Sequence, residues 1–287
     1  MGLWSGFLDP RPSAEARELA AEIESLGYGA LWVPEAVGRE ALVNSSLLLG
    51  ATERLVVGTG IASIYARSPM AANGGLRALT EAYPGRFLLG LGVSHQPMVE
   101  GLLGRTYDKP LAAMRAYLDA MDAALYFGAA STQEPQRVLA ALGPKMLGLA
   151  AERTAGALSY FVPPDHTATA RHDLGDDALL CVEQAVVLET DPTRARELAR
   201  SHTALYVTLP NYTNNLRRFG FGDEDFADRG SDRLVDAVVA WGDEQVVAER
   251  VRRHHQAGAD HVCVQVIADA AAPGLDEWRR LAPVLLG

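Results

Sequence analysis

The sequence predicts an α/β fold, a single (β/α)8 barrel in which eight parallel strands alternate with helices. Short runs of continuous apolar residues recur along the chain, as in strands that are buried on both faces of a parallel sheet. Amphipathic stretches separate these runs, and such alternation is typical of parallel sheets with right-handed crossovers. Eight units in 287 residues favour a closed barrel over an open sheet, because such barrels commonly form one domain of about this length.

Composition excludes several classes of protein. Hydrophobic residues make up 48% of the chain, which is enough for a sizeable core, and the net charge is −10. Nucleic acid and anionic membranes are therefore not expected as partners, because both require clustered Lys and Arg. The sequence contains no apolar stretch of about 18 residues, so a membrane span is not expected. The first residues lack the basic and apolar regions of a signal peptide. Cys181 and Cys263 lie in predicted strands and are expected to be core thiols, which fits a reducing cytoplasm.

The first half of the chain contains four predicted strands and three predicted helices. The first helix begins at Ser13, a residue type that caps helix N-termini, and ends at Gly27. The turn Pro84-Gly85 separates the third helix from the fourth strand. The predicted strands are residues 3–8, 30–33, 54–61 and 87–91, and the predicted helices are residues 13–27, 39–51 and 69–83.

The second half contains the other four strands and a longer irregular region. Pro144 suits the first turn of a helix, where its missing N–H would be unpaired anyway. The predicted strands are residues 138–142, 156–162, 179–188 and 261–267, and the predicted helices are residues 111–127, 145–155, 243–256 and 275–286, with a further helix that begins near Asp191. Residues 205–256 do not fit one strand–helix unit. We expect an insertion there, before the last strand, that covers the barrel mouth or forms a dimer contact within a single domain spanning residues 1–287.

Candidate functional residues follow the predicted strands, whose carboxyl ends meet at the end of the barrel where such folds build their sites. A glycine at a strand end lets the backbone approach a ligand. The candidates are Glu35 after the second strand; Gly60, Ile61, Ala62 and Ser63 after the third; Gly92, Val93, Ser94 and His95 after the fourth; and Leu142, Gly143, Pro144, Lys145 and Met146 after the fifth. Taken singly, each of these residues could serve only a turn, a cap or a surface. Together they predict one site at the barrel mouth.

Other motifs are incomplete. The patterns Gly58-x-Gly60 and Gly90-x-Gly92 do not continue to a third glycine, so neither predicts a dinucleotide-binding fold. The chain has no phosphate-binding loop of the G-x-x-x-x-G-K-[ST] type and no G-x-S-x-G nucleophile elbow. The pair His254-His255 is expected to be solvated on a charged helix without the further ligands that a metal site needs.

Four segments carry a family resemblance that extends over nearly the whole chain. They are RLVVGTGIASIYARSP (54–69), YPGRFLLGLGVSH (83–95), LGPKMLGLAAERTAGALSYFVPP (142–164) and SDRLVDAVVAWGD (231–243). With these segments the sequence resembles the bacterial luciferase-like superfamily, in particular its branch of oxidoreductases that use the deazaflavin F420. The resemblance implies a TIM barrel with the ring of F420 or FMN in its mouth, a small-molecule substrate and a homodimer.

The resemblance also implies roles for the residues after three strands. Family members carry a non-proline cis peptide at the end of the third strand, which here would be Gly60–Ile61, and a bulge that supports the rear face of the cofactor ring. The end of the fourth strand contacts the cofactor, which corresponds to Gly92, Val93 and Ser94. The turn after the fifth strand, residues 142–146, contacts the cofactor's side chain and phosphate. A helix N-terminus with Lys145 suits an anion.

One departure from the family pattern concerns the catalytic base. Several F420-dependent dehydrogenases of the family place an Asp-His pair after the second strand, and the histidine acts as acid and base. Here those positions are Glu35-Ala36, so Glu35 and His95 are the two catalytic candidates, and dehydrogenation of a sugar phosphate is disfavoured. A general base must reach its proton within hydrogen-bond distance and have a suitable pKa, neither of which a sequence shows.

Three functions remain after these exclusions. The leading hypothesis is an F420-dependent oxidoreductase that transfers hydride between the deazaflavin and a small organic substrate. The first alternative is an FMN-dependent monooxygenase of the same fold, and the second is a non-catalytic barrel that binds a flavin or another metabolite. Candidates for substrate contact are Tyr65, His166, Tyr212, Asn214 and Asn215, each of which could equally be a loop residue.

Overall fold

A computed structural model of the chain describes residues 1–268 and 274–287. The strands are β1 (Gly2–Trp4), β2 (Ala30–Val33), β3 (Val56–Thr59), β4 (Ala62–Ser63), β5 (Phe87–Gly92), β6 (Gln136–Ala140), β7 (Gly156–Ser159), β8 (Leu179–Val187), β9 (Val239–Trp241) and β10 (His261–Val266). The helices are α1 (Ser13–Ser25), α2 (Ala41–Leu49), α3 (Pro69–Ala82), α4 (Gln96–Gly101), α5 (Pro110–Asp122), α6 (Pro144–Arg153), α7 (Pro164–Leu174), α8 (Pro192–Tyr206), α9 (Pro210–Arg217), α10 (Asp223–Phe226), α11 (Asp232–Val238), α12 (Glu244–Gln256) and α13 (Leu275–Leu286).

Eight of the strands form a closed parallel ring. Its order is β10, β1, β2, β3, β5, β6, β7 and β8, and β8 pairs in turn with β10. Each of these pairings is parallel, with helices between consecutive strands. The predicted (β/α)8 TIM barrel is therefore confirmed.

The longest strand, β8, has two different neighbours along one edge. Residues from Cys181 to Val186 pair with β10, which closes the ring. On the opposite edge, Leu179 to Val182 pair with β7, whereas Ala185 to Val187 pair with β9. β9 was not predicted from the sequence, because a strand of three residues within a helical region is too short to show a periodic pattern. The interpretation of residues 205–256 as an insertion in a single domain stays a prediction.

Several element boundaries differ from the predictions. The first strand ends at Trp4 instead of residue 8, because the apolar run continues into a loop that buries Leu8 completely. The helix predicted for residues 111–127 ends at Asp122, and the apolar side chains of Leu125 and Phe127 lie exposed beyond it. The apolar residues after Trp4 thus include a residue buried in a loop, whereas those after Asp122 lie on the surface.

Six of the eight ring strands each contribute one buried side chain to a cluster in the barrel interior. Trp4, Trp32, Val138, Leu158, Cys181 and Cys263 form one buried cluster. Both cysteines are free and buried, as predicted. Because side chains alternate along a strand, β8 directs Cys181 and Glu183 to this interior, while Val182 and Val186 pack in the cluster between the strands and the surrounding helices.

The prediction that His254 is solvated is wrong. Its side chain is fully buried between α12, α7 and β8, where its two ring nitrogens bond Thr167 Oγ1 at 2.8 Å and Gln184 Oε1 at 2.9 Å. The helix therefore turns His254 inward and leaves only His255 exposed. Among the described residues, no group of His, Cys, Asp or Glu is arranged to hold a metal ion. Within the same residues, no helix combines the length and apolar character that a membrane crossing requires.

Candidate active site

A bulge lies at the mouth of the barrel between β3 and β5. Gly58 pairs with Leu88, and pairing resumes when Ala62 meets Leu91, so the β3–β4 side carries one more residue than β5. The peptide bond between Gly60 and Ile61 lies in this bulge and is cis. Both the bulge and the cis bond that the family resemblance implied are therefore confirmed.

Side chains hold the bulge from both sides. Thr59 Oγ1 donates to the carbonyl of Gly90 at 2.8 Å and accepts the N–H of Gly90 at 2.9 Å, which replaces ladder bonds where the two backbones are out of register. On the other side, Trp4 Nε1 donates to the carbonyl of Gly60 at 3.2 Å. The backbone at Gly60 is thus fixed by an indole from the barrel interior.

Gly92 is required by packing. A Cβ at this position would lie 2.4 Å from Cδ1 of Ile61, a distance well inside van der Waals contact. The absence of a Cβ at Gly92 therefore makes room for the side chain of Ile61, and a contact between Gly92 and a cofactor stays a prediction. Gly60 and Ile61 are half-buried, while Ala62 and Ser63 are buried.

Glu35 is engaged by the structure around it. Its Oε2 accepts the backbone N–H of Ser63 at 2.8 Å, and its Oε1 accepts the N–H of Ala41 at 3.0 Å and a bond from Arg67 Nη2. The side chains of Glu35 and Arg67 are only 9% and 7% exposed. This carboxylate thus links the segment after β2 to the residue that follows the bulge.

His95 lies where β5 has ended and contacts a different part of the chain. Its Nδ1 is 3.2 Å from Oδ1 of Asn211, and its ring lies 5.5 Å from that of Tyr212. Burial lowers the pKa of His95, while the hydrogen bond to Asn211 opposes that change. Ser94, just before it, has a φ of 54°, a backbone conformation that is uncommon for residues other than glycine. The structure thus brings His95 against α9.

The turn after β6 has the features of an anion site. Helix α6 begins at Pro144, with Gly143 as its N-cap, and the first N–H groups of a helix lack partners within it. Lys145 is exposed at this end of the helix. The carbonyl of Leu142 is held by His166 Nε2 at 2.8 Å and by Arg218 Nη1 at 3.4 Å. Two cationic side chains, Lys145 and Arg218, therefore accompany the turn.

A group of aromatic residues completes the mouth, and three of them, Trp4, Tyr160 and Tyr206, were not candidates from the sequence. Tyr160 follows β7, and its ring lies 5.4 Å from Trp4 and 6.2 Å from Tyr212. Its hydroxyl is 2.8 Å from the hydroxyl of Tyr206 and donates to Gln265 Oε1 at 2.7 Å. An unbroken aromatic wall thus runs from His95 through Tyr212 and Tyr160 to Trp4, which holds Gly60.

A buried carboxyl group, Glu183, lies in the same region. It is 1% exposed, its Oε2 accepts the N–H of Phe161 at 3.2 Å, and its Oε1 has no partner among the described residues. Burial raises the pKa of Glu183 to about 8. The sequence offered a signal for this residue, since Glu183-Gln184 is the only polar pair within an apolar strand, LLCVEQAVV.

The other candidates for substrate contact have separate environments. Tyr65 lies 5.9 Å from the ring of Tyr107, and its buried hydroxyl has no partner among the described residues. His166 and Asn215 are buried and contact Leu142 and Arg218. Asn214 is exposed. Of the five, Tyr212 is the one that forms part of the aromatic wall.

Known proteins are similar to this chain in sequence and in fold. A putative coenzyme F420-dependent oxidoreductase of Mycobacterium tuberculosis is 34% identical over 119 residues, which cover 42% of this chain and 34% of that protein. The chain thus matches about a third of the length of the first curated relatives.

Two solved structures share the fold. An F420-dependent secondary alcohol dehydrogenase in complex with an F420–acetone adduct has a TM-score of 0.78 at 15% identity, covering 99% of this chain and 98% of that one. The FMN complex of the oxygenating constituent of 3,6-diketocamphane monooxygenase from Pseudomonas putida has a TM-score of 0.67 at 17% identity, with coverage of 99% and 98%.

The family is shown by a match over most of the sequence. Residues 5–261 match the family model of luciferase-like monooxygenases, and this range includes β2 to β9 with the bulge, His95 and the turn before α6. The resemblance read from the four sequence segments is therefore confirmed, and the chain belongs to the luciferase-like monooxygenase family of oxidoreductase enzymes.

Proposed function

We propose that this protein is an F420-dependent oxidoreductase that transfers hydride between the deazaflavin and a small organic substrate. The observation that carries the proposal is the bulge at Gly60 and Ile61, which lies in the barrel mouth beside the end of β5. The similarity to an F420-dependent oxidoreductase over two fifths of the chain supports F420 as the cofactor.

The residues present fit such a cofactor. We propose that Gly60, Ile61, Ala62 and Ser63 support the ring, with Gly92, Val93 and Ser94 beside it. The turn from Leu142 to Met146 would hold the anionic tail, since Lys145 and the start of α6 offer positive charge. Bound F420 would supply the hydride chemistry, while the protein binds and orients the ring and excludes water.

His95 is the group that we propose for proton transfer. Its ring is half-buried and reaches only Asn211 among the described hydrogen-bond partners, so one ring nitrogen remains for a substrate. Glu35 was the other catalytic candidate, but each of its carboxylate oxygens already accepts a backbone N–H. We propose that Glu35 acts on the site by holding Ser63 and the backbone after the bulge.

Binding measurements test the cofactor assignment. Purified protein is titrated separately with F420 and with FMN, and we expect micromolar or tighter binding of F420. The variant Lys145→Gln should weaken F420 binding about tenfold, equivalent to about 1.4 kcal/mol. The matched control is Lys109→Gln, which removes an exposed lysine from outside the proposed site and should leave the affinity unchanged. Binding of neither cofactor would contradict the proposal.

The FMN-dependent monooxygenase remains the second candidate, because a structure of the same fold contains FMN. Reduced flavins react with oxygen and deazaflavins do not, so oxygen uptake by the loaded, reduced protein distinguishes the two. A barrel that binds F420 or FMN but turns over no substrate would correspond to the non-catalytic alternative. We propose that the protein acts in the cytoplasm, which fractionation of the source cells would test.

A homodimer is also part of the proposal. Val43 on α2 and Met70 on α3 are exposed by 58% and 66%, and the adjacent loop exposes Val37 by 81%. Apolar side chains exposed together on neighbouring helices mark surfaces that another protein covers. Light scattering should therefore give twice the chain mass, and Met70→Glu should shift the protein towards monomers, whereas Leu125→Glu, at an exposed site after α5, should not.

A further inference from the structure

A cavity opens beside the aromatic wall, between the ends of β1 and β10. Its volume is about 260 Å³, slightly below the roughly 300–1,000 Å³ of sites for drug-sized ligands. It is lined by Trp4, Ser5, Gly6, Phe7, Pro10, Gln265, Val266 and Trp278. The dimensions suit a small molecule.

The described lining of this cavity contains no charged side chain. A second cavity, at the opposite end of the barrel, differs in its charged lining, which includes Arg77, Arg137, Arg153, Asp122, Glu134 and Glu152. Burying a charge without a partner is costly. The cavity between β1 and β10 therefore favours an uncharged ligand.

A hydrogen-bonded chain fixes the orientation of the side-chain amide of Gln265. The hydroxyl of Tyr160 donates to Gln265 Oε1, and the hydroxyls of Tyr160 and Tyr206 are in contact. Tyr206 must then donate to Tyr160, because each hydroxyl has one proton. If the amide were flipped, its nitrogen would donate to Tyr160, and Tyr160 would have to donate to Tyr206. The Tyr206 proton would then have no acceptor among the described residues. Ser5 also lines the cavity; it is buried, and its hydroxyl oxygen accepts the N–H of Phe7.

The amide nitrogen of Gln265 therefore remains as a donor for the cavity. Its Oε1 is occupied by Tyr160, and the described residues give its Nε2 no acceptor. A buried donor contributes to specificity because a ligand that lacks the matching acceptor leaves it unpaired. An acceptor oxygen is thus the feature that this cavity recognises.

The cavity and the aromatic wall share the side chain of Trp4. Trp4 lines the cavity, and its indole N–H holds the carbonyl of Gly60. The ring of Tyr160, which orients Gln265, packs on the same indole. A ligand in the cavity would therefore contact the side chain that supports the bulge.

We propose that this cavity is a substrate-binding subsite and that it accepts a small, uncharged, mainly apolar group with one acceptor oxygen, as in a cyclic ketone, while the reacting atoms lie outside it within reach of His95. Gln265 donates a hydrogen bond to that oxygen, and Tyr206 acts through Tyr160 as a positioning residue. The inference rests on the proposed oxidoreductase function, but it concerns ligand binding, which is measured without turnover and without F420.

The test uses three probes of similar shape on the full chain, observed by saturation-transfer NMR. Cyclohexanone carries an acceptor oxygen, methylenecyclohexane carries none, and cyclohexanecarboxylate is an anion. We expect the ketone to bind more tightly than the carboxylate. The variant Gln265→Met should weaken ketone binding roughly three- to tenfold, the range for loss of one neutral hydrogen bond, and leave methylenecyclohexane binding unchanged.

Two further variants complete the experiment. Tyr206→Phe should weaken ketone binding about twofold, since the amide loses only its orientation, and Gln245→Met, at an exposed position on α12, is the matched control without effect. Should Gln265→Met fail to fold, Tyr206→Phe still tests the chain of hydroxyls. No ketone binding by the unaltered chain, equal losses for ketone and hydrocarbon, or tighter binding of the carboxylate would overturn the proposal. F420 binding is measured separately, so its failure would affect the proposed function alone.

Discussion

The carboxylate of Glu35 accepts the backbone N–H of Ser63 at 2.8 Å, so the loop after β2 and the end of the bulge share one anchor. The same carboxylate pairs with Arg67, whose guanidinium also reaches Glu40. Three elements at the barrel mouth, the loop after β2, β4 and the segment before α3, are thereby joined through buried charge.

Replacing Glu35 by Gln should destabilise the protein by about 3 kcal/mol, because loss of one partner leaves the other charge buried without full compensation. Urea denaturation measures this difference. Glu152→Gln is the control, since it breaks an exposed pair with Arg115 that is expected to contribute about 0–1 kcal/mol. Equal effects of the two substitutions would show that the pair of Glu35 and Arg67 is not structural.

Substitution of Gly92 by Ala should destabilise the barrel by roughly 1–3 kcal/mol, the usual range for overpacking. The added methyl group would meet Ile61 at 2.4 Å. In an Ile61→Ala background the same substitution should cost less, and the difference is the coupling between the two positions. Gly148→Ala is the matched control: it lies inside α6 with open space around it, so the protein should gain about 0.5–1 kcal/mol there. Additive effects at positions 61 and 92 would contradict the packing explanation.

The pH dependence of turnover should identify His95. Burial lowers its pKa from the ordinary value of 6.5, so we expect the rate to change with an apparent pKa below 6.5, and His95→Gln should remove that step. Because the bond to Asn211 raises the pKa of His95, Asn211→Leu should move the step to lower pH. His255→Gln, at an exposed histidine, is the control. A profile unaltered in His95→Gln would exclude this residue from proton transfer.

The free energy of unfolding should fall as the pH rises, because Glu183 loses its proton. Its pKa is raised from 4.5 to about 8 by burial, so between these values the folded state binds more protons than the unfolded state. Stability from this group is therefore full below pH 4.5 and is lost as the pH rises towards 8, at about 1.4 kcal/mol for each step of one in pH. Glu183→Gln removes the titration, and its melting temperature should exceed that of the unaltered protein by an amount that grows between pH 5 and pH 9. A constant difference over that range would show that Glu183 does not titrate in the fold.

Much of the site followed from the sequence because it lies in local motifs. The strand-end glycines and the turn at Pro144 are each set by a few consecutive residues, and the order of strands then brings them together. The cis bond at Gly60–Ile61 was implied by the family resemblance alone. The partners of Glu35 could not be predicted in this way, because Arg67 lies 32 positions away and its side-chain direction depends on the fold.

The aromatic wall and the cavity were out of reach for the same reason. Trp4, Tyr160 and Gln265 come from the two ends and the middle of the chain, and each occurs in a segment that reads only as apolar strand or loop. Glu183 had a detectable signal, a charge in an apolar strand, but alternation alone does not say which of Glu183 and Gln184 faces the interior. That choice is made when β8 pairs with β10.

The divided edge of β8 separates the closure of the ring from the stretch of chain that reaches His95. The ring is closed by bonds between β8 and β10 that do not pass through β9, and α9, which reaches His95, belongs to the same intervening stretch of chain. The stretch of chain between β8 and β10 can thus be redesigned around His95 without removing the strand pairing that closes the ring.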